Sequence, residues 1–140
     1  MPYTRILVAV APGVESRQLV DKAVALARPV NGKITLITLA TEPGFYNQMA
    51  PPMLEDLRDL LLEETRLFLD ELSGGYDYPI STRIIATGEL TPHLHATCEQ
   101  EQIDLLICGN HNSTLFSKAL CSARSVIATS KVDVLLVCLH

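Results

Sequence analysis

Apolar and polar positions change period several times along this chain. RILVAVA at 5–11 and KITLITLA at 33–40 are short, nearly unbroken apolar runs, the pattern of strands covered on both faces. Between them, SRQLVDKAVALAR sets Leu19, Val20, Ala23, Val24 and Ala27 at helical spacing. Ser16 reads as its N-cap, Pro29 as its stop, and Asn31-Gly32 as the turn that follows. A second helix is expected over 54–73 with Leu57, Leu61, Phe68 and Leu72 facing inward, ended by Gly74-Gly75. Its acidic residues (Glu55, Asp56, Asp59, Glu63, Glu64, Asp70, Glu71) face out as a solvated surface.

The rest of the chain continues the alternation. ISTRIIAT at 80–87 is a third strand, and Gly88 opens the loop after it. Thr91-Pro92 fits an N-cap followed by a first-turn proline, starting a short helix to about Gln102. DLLICG at 104–109, a helix over 115–130 and VDVLLVCL at 132–139 complete the pattern. Strands separated by helices on right-handed crossovers give an α/β fold: a doubly wound, five-stranded parallel sheet with helices on both faces. The expected strand order is 3-2-1-4-5, with strand one central. Ligands in such sheets bind beyond the carboxyl ends of the strands, which draws attention to the loops after strands one and four. The segment 41–53, TEPGFYNQMAPPM, is long for a connection in a compact domain and is a candidate functional loop.

Composition narrows the function classes. With 140 residues, the chain (1–140) has the size of one domain with a real core. No apolar run approaches the ~18–20 residues that span a bilayer, and MPYTRILVAV has no signal-peptide cleavage site, so a cytoplasmic location is expected. A net charge of −5 without a Lys/Arg cluster argues against nucleic acid or an anionic membrane as partner. Cys98, Cys108, Cys121 and Cys138 have no CxxC spacing and sit among apolar neighbours, as reduced, buried thiols do; no metal site is expected. His93 and His95 are two apart and point about 200° apart on a helix, so they cannot chelate together. His111, in the loop after strand four, has no nucleophile or carboxylate placed with it by sequence. No catalytic residue emerges.

The nucleotide motifs are missing. After strand one, APGVES offers Gly13 alone where a dinucleotide fingerprint needs three glycines, and there is no Walker loop. CGNHNSTLFSKALCSAR at 108–124 is laid out as a strand, a polar loop and a helix, yet has no glycine after Gly109.

ILVAV near the start, AVALARPVNGKITLITL, and DLLICGNHN followed by SARSVI give the whole chain a resemblance to the universal stress protein family, in its bacterial A/C-like subgroup. Many members bind ATP through G-x2-G-x9-G-(S/T) after strand four, with an Asp after strand one. Mapped onto that pattern, Gly109 keeps the first glycine, while Asn112, Ser122, Ala123 and Ala11 replace the rest. Side chains at 112 and 122 obstruct close approach to phosphates, and Ala123 and Ala11 remove hydrogen-bond partners. Losing two or more contacts at ~1–1.5 kcal/mol each weakens binding ten- to a hundredfold or more. Ala11, Gly88, Gly109, Asn112, Ser122 and Ala123 therefore read as a vestigial nucleotide or anion site that carries no cofactor.

The resemblance implies a non-catalytic stress-response protein that acts through other stress proteins or a regulatory protein partner. The alternatives are a weak ATP-binding or slowly hydrolysing module, and an enzyme built on His111 or a cysteine. The last strand adds a specific expectation. Val134, Leu135, Leu136, Val137 and Cys138 form an edge that is apolar on both faces and free of Lys and Pro, suited to an antiparallel homodimer.

Overall fold

The computed structural model describes residues 3–40, 51–110, 124 and 132–138. Five parallel strands form one sheet: β1 (Arg5–Ala9), β2 (Lys33–Leu39), β3 (Thr82–Ala86), β4 (Leu105–Asn110) and β5 (Asp133–Cys138). Their order is β3-β2-β1-β4-β5, as expected, with β1 in the centre. Register is set by Ile6 opposite Ile34 on one side and Leu105 on the other, and β4 pairs β5 from Leu105↔Asp133 to Asn110↔Cys138.

The unbroken apolar runs exist because both faces of the sheet are covered. Ile6, Val8, Ile34, Leu36 and Ile107 pack beneath helix α1 (Ser16–Ala27), through Leu19, Val20, Ala23 and Val24, and beneath helix α2 (Pro51–Gly74), through Leu69 and Leu72. Leu7, Ala9, Ile37, Leu106 and Cys108 face the other way, against Leu90, Leu94 and Cys98 of helix α3 (Leu90–Gln100).

Several boundaries differ from the sequence expectation. Ser16 is the first helical residue rather than the cap: Glu15, which precedes it, is already αR (φ −62, ψ −29) and makes no side-chain cap hydrogen bond. The chain before α1 turns in a helical sense, so no extended residue is there to aim a hydroxyl at the helix. Thr91 likewise lies inside α3. Glu89 is the extended residue before the helix, and the burial of Leu90 draws the start one residue earlier. Pro92 is then the third helical residue, still among the N–H groups that have no intrahelical partner.

Helix α2 begins at Pro51, three residues before expected, because two prolines fit a first turn as well as a loop. It buries Thr65, Leu69 and Leu72, while Leu57, Leu61 and Phe68 are only half-buried. After α1 the chain makes one 3₁₀ turn (Arg28–Val30) around Pro29, and Asn31 takes the left-handed conformation at φ 54. Gly32 is needed there, since a Cβ would sit 3.2 Å from the Tyr3 carbonyl oxygen. The segment 41–50 and, apart from Arg124, the expected helix 115–130 lie outside the described residues.

Candidate functional site

The carboxyl ends of β1 and β4 adjoin. Val8 pairs Ile107, and the same register carried two residues further sets Gly109 beside Val10, next to Ala11. Ala11 is 3 % exposed and its methyl group belongs to the core under α1. Its backbone is also engaged: the buried Ser16 hydroxyl accepts the Ala11 N–H at 3.0 Å and donates back to the Ala11 carbonyl. Position 11 therefore offers a ligand neither a side-chain acceptor nor a free backbone group. The hydroxyl that sequence assigned to helix capping instead locks the end of the central strand.

Gly109 is buried within β4 and pairs Val137. Gly88 lies at the same end of the sheet but after the far strand β3, three strand spacings from β4, roughly 14 Å. The structure thus brings Ala11 and Gly109 together and leaves Gly88 apart. At Gly88, φ is +79 and a Cβ would meet nothing within 4 Å, so the glycine serves the turn rather than a close approach. Asn112, Ser122, Ala123 and His111 lie outside the described residues.

One polar group at this end escaped the sequence reading. Thr38, on the carboxyl half of β2, is 2 % exposed, and its hydroxyl has no hydrogen-bond partner among the described residues. An orphaned buried hydroxyl costs about 1–3 kcal/mol. The only signal in sequence is a threonine inside the apolar run KITLITL.

The other candidate residues sit on β5, at the edge of the sheet. Val137 is buried and Val134 and Leu135 are half-buried, whereas Leu136 is 44 % exposed and Cys138 is exposed. Asp133, the one charge in the strand, accepts a 2.7 Å hydrogen bond from the Tyr3 hydroxyl at the strand's first residue. A groove of about 720 Å³ runs alongside, lined by Gln18, Asp21, Lys22 and Ala25 of α1 and by residues 135–138 of β5.

The remaining titratable groups of interest are placed away from any shared cleft. His93 Nε2 lies 3.1 Å from the Thr87 carbonyl oxygen, a local contact at the start of α3. Burial pushes the Cys98 thiol up to about 11 and the Cys108 thiol to about 12, which keeps both protonated. Among the described residues no group of three His, Cys, Asp or Glu side chains is arranged to hold a metal ion.

Comparison with known proteins supplies context for this geometry. Residues 2–137 match the universal stress protein family. The chain is 57% identical over 137 residues to universal stress protein C of Salmonella typhimurium, covering 98% of this chain and 96% of the relative. It is 39% identical over 138 residues to universal stress protein A of the same organism, covering 98% and 95%. Among solved structures, a universal stress protein in complex with cAMP superimposes with a TM-score of 0.61 at 21% identity, covering 100% of both chains.

Proposed function

This chain belongs to the universal stress protein family, and on that premise we propose that it is a non-catalytic, dimeric stress-response protein acting through protein partners. The carrying observation is the β5 edge, whose outer row of backbone groups has no strand beside it among the described residues and whose Leu136 is exposed. A second copy related by a two-fold axis would extend the sheet across that edge and cover Leu136. The strand supplies a backbone ladder and the apolar side of the groove, and Gln18, Asp21 and Lys22 of α1 supply its polar side. The same reading places the protein in the cytoplasm. No helix among the described residues is long and apolar enough to cross a membrane.

The nucleotide loop is read as degenerate. Ala11 presents only a methyl group turned into the core, with its backbone held by Ser16. The competing reading, a weak nucleotide-binding protein, draws on the cAMP complex of the solved relative and on the retained Gly109. Calorimetry with ATP separates the two. The degenerate loop predicts a Kd weaker than ~100 μM, the ordinary range for a site short of several hydrogen bonds. Restoring the loop with Ala11→Asp, Asn112→Gly, Ser122→Gly and Ala123→Ser should tighten it. Micromolar binding by the unaltered protein would establish the nucleotide reading instead. Sedimentation at tens of micromolar tests the dimer, and a monomer there removes the basis of the proposal.

A further inference from the structure

Helix α2 carries a second apolar stripe that the core does not use. Met53, Leu60 and Leu67 are 61 %, 55 % and 56 % exposed, although all three belong to a 24-residue helix with a buried face elsewhere. They recur every seven residues, and half-buried Leu57 stands between the first two at i+4. This is the spacing of a helix–helix seam, with Met53, Leu60 and Leu67 at one seam position and Leu57, Glu64 and Glu71 at the other. At 1.5 Å per residue the stripe is roughly 21 Å long, enough for two heptads of a second helix.

The charges bordering the stripe have one sign. Asp56, Glu63 and Asp70 run along one side, and Glu64 and Glu71 occupy the seam itself. Arg66 is turned about 100° round the helix from Leu67 and is engaged with Glu63, and Arg83 of β3 reaches Asp70 at 2.9 Å. Those pairs partly neutralise Glu63 and Asp70, so the acidic charge of the seam is carried by Glu64 and Glu71 with Asp56 beside them. A second copy of α2 is a poor occupant, because it would set Glu64 and Glu71 of both copies within one seam without a counter-charge. An anionic lipid surface is repelled for the same reason.

We propose that the outer face of α2 docks a basic amphipathic helix of a protein partner, with apolar residues at heptad spacing and Lys or Arg opposite Glu64 and Glu71. The inference rests on the reading that the protein acts through protein partners, and it names the surface and the chemistry for that role. It is independent of the β5 edge. Helix α2 packs on the other half of the sheet, beside β3.

The probe is a fluorescent 21-residue helical peptide with Leu at heptad positions and Lys beside them, titrated by anisotropy at low and at physiological salt. A scrambled peptide of the same composition is the control. Saturable binding of the ordered peptide, at least tenfold tighter than the scrambled one, is expected. Leu60→Ser with Leu67→Ser should abolish that preference. Glu64→Lys with Glu71→Lys should shift it to a peptide with Glu in place of Lys. All four positions are exposed, so the variants should keep the wild-type circular dichroism and sedimentation. Retained dimerisation with no peptide preference would overturn this inference while leaving the β5 reading intact. Equal binding of both peptides would also overturn it. So would concentration-dependent self-association lost in Leu60→Ser/Leu67→Ser, or binding to phosphatidylcholine vesicles through the same residues. A tenfold gain in peptide affinity when Phe45 and Tyr46 are replaced by Ser would show the preceding segment occupying the face, and would overturn it too.

Discussion

The two edges of the sheet are built from strands of similar length that place their single charge differently: inside the strand in β3, at its first residue in β5. At β3 (Thr82–Ala86) the exposed Arg83 stands inside the strand, held to Asp70 of α2 at 2.9 Å, and is followed by half-buried Ile84 and Ile85. A strand docking there would have to displace that ion pair and desolvate a guanidinium. At β5 (Asp133–Cys138) the only charge is at the first residue, tied to Tyr3, and the rest of the edge is Val, Leu and Cys. The difference fits the proposal that β3 is defended against pairing and β5 is open to it. A charge inside β3 would favour the proposed closed pair through β5 over open-ended stacking of subunits.

The most damaging test of this contrast is a charge placed at the open edge. Leu136→Lys puts two ammonium groups near the two-fold axis of the proposed dimer. We expect the dimer Kd to rise about a hundredfold, or ~2.7 kcal/mol, so that sedimentation at tens of micromolar shows monomer. Because Leu136 is already 44 % exposed in the single chain, the variant should remain folded by circular dichroism. A dimer of unchanged strength would mean that the subunits meet elsewhere.

A smaller effect is expected from stripping the defended edge. Arg83→Val removes the Asp70 ion pair, which is exposed on both sides and worth less than about 1 kcal/mol, so the unfolding midpoint should barely move. What should change is association. Light scattering should detect species larger than a dimer at concentrations where the wild type shows none. If Arg83→Val stays dimeric even at high concentration, the charge at β3 is not what closes that edge.

The apolar character of the β5 edge was legible in sequence because it depends only on strand order and on side-chain type. The parallel sheet followed from the alternation of apolar runs with helical periods, and the expected order 3-2-1-4-5 is the one the structure has, with both faces of RILVAVA covered. Local hydroxyl chemistry was less legible. Ser16 and Thr91 have the residue type and position of caps, yet the backbone before α1 is helical and α3 starts at Leu90, so neither caps. Ser16 finds a better pair of partners in the Ala11 backbone, a contact that exists only once β1 and α1 are packed. The inward face of α2 was read in part: Leu72 is buried as expected and Phe68 packs on the core, but Leu69 and Thr65 are buried while Leu57 and Leu61 are only half-buried. A helix with leucines on two sides has two candidate faces, and only the sheet beneath decides between them.

The most delicate test uses the cysteines as reporters of the two environments. Cys98 and Cys108 are buried in the core, and desolvation holds their thiols near 11 and 12. At pH 8 their thiolate fractions are about one in a thousand or less, and the packed core also blocks a reagent from reaching them. Cys138 is exposed on the open edge and sits in the groove beside α1. If two β5 strands pair antiparallel about an axis near Leu136, Cys138 lies opposite position 134 of the second copy and is shielded by it. Labelling by a neutral thiol reagent at pH 8, followed by peptide mass spectrometry, should then find Cys98 and Cys108 unmodified. Cys138 should react freely in dilute protein and about tenfold more slowly once the dimer forms. In Leu136→Lys the slowing should vanish while Cys98 and Cys108 stay protected. A Cys138 rate independent of concentration would place the second copy somewhere other than this strand.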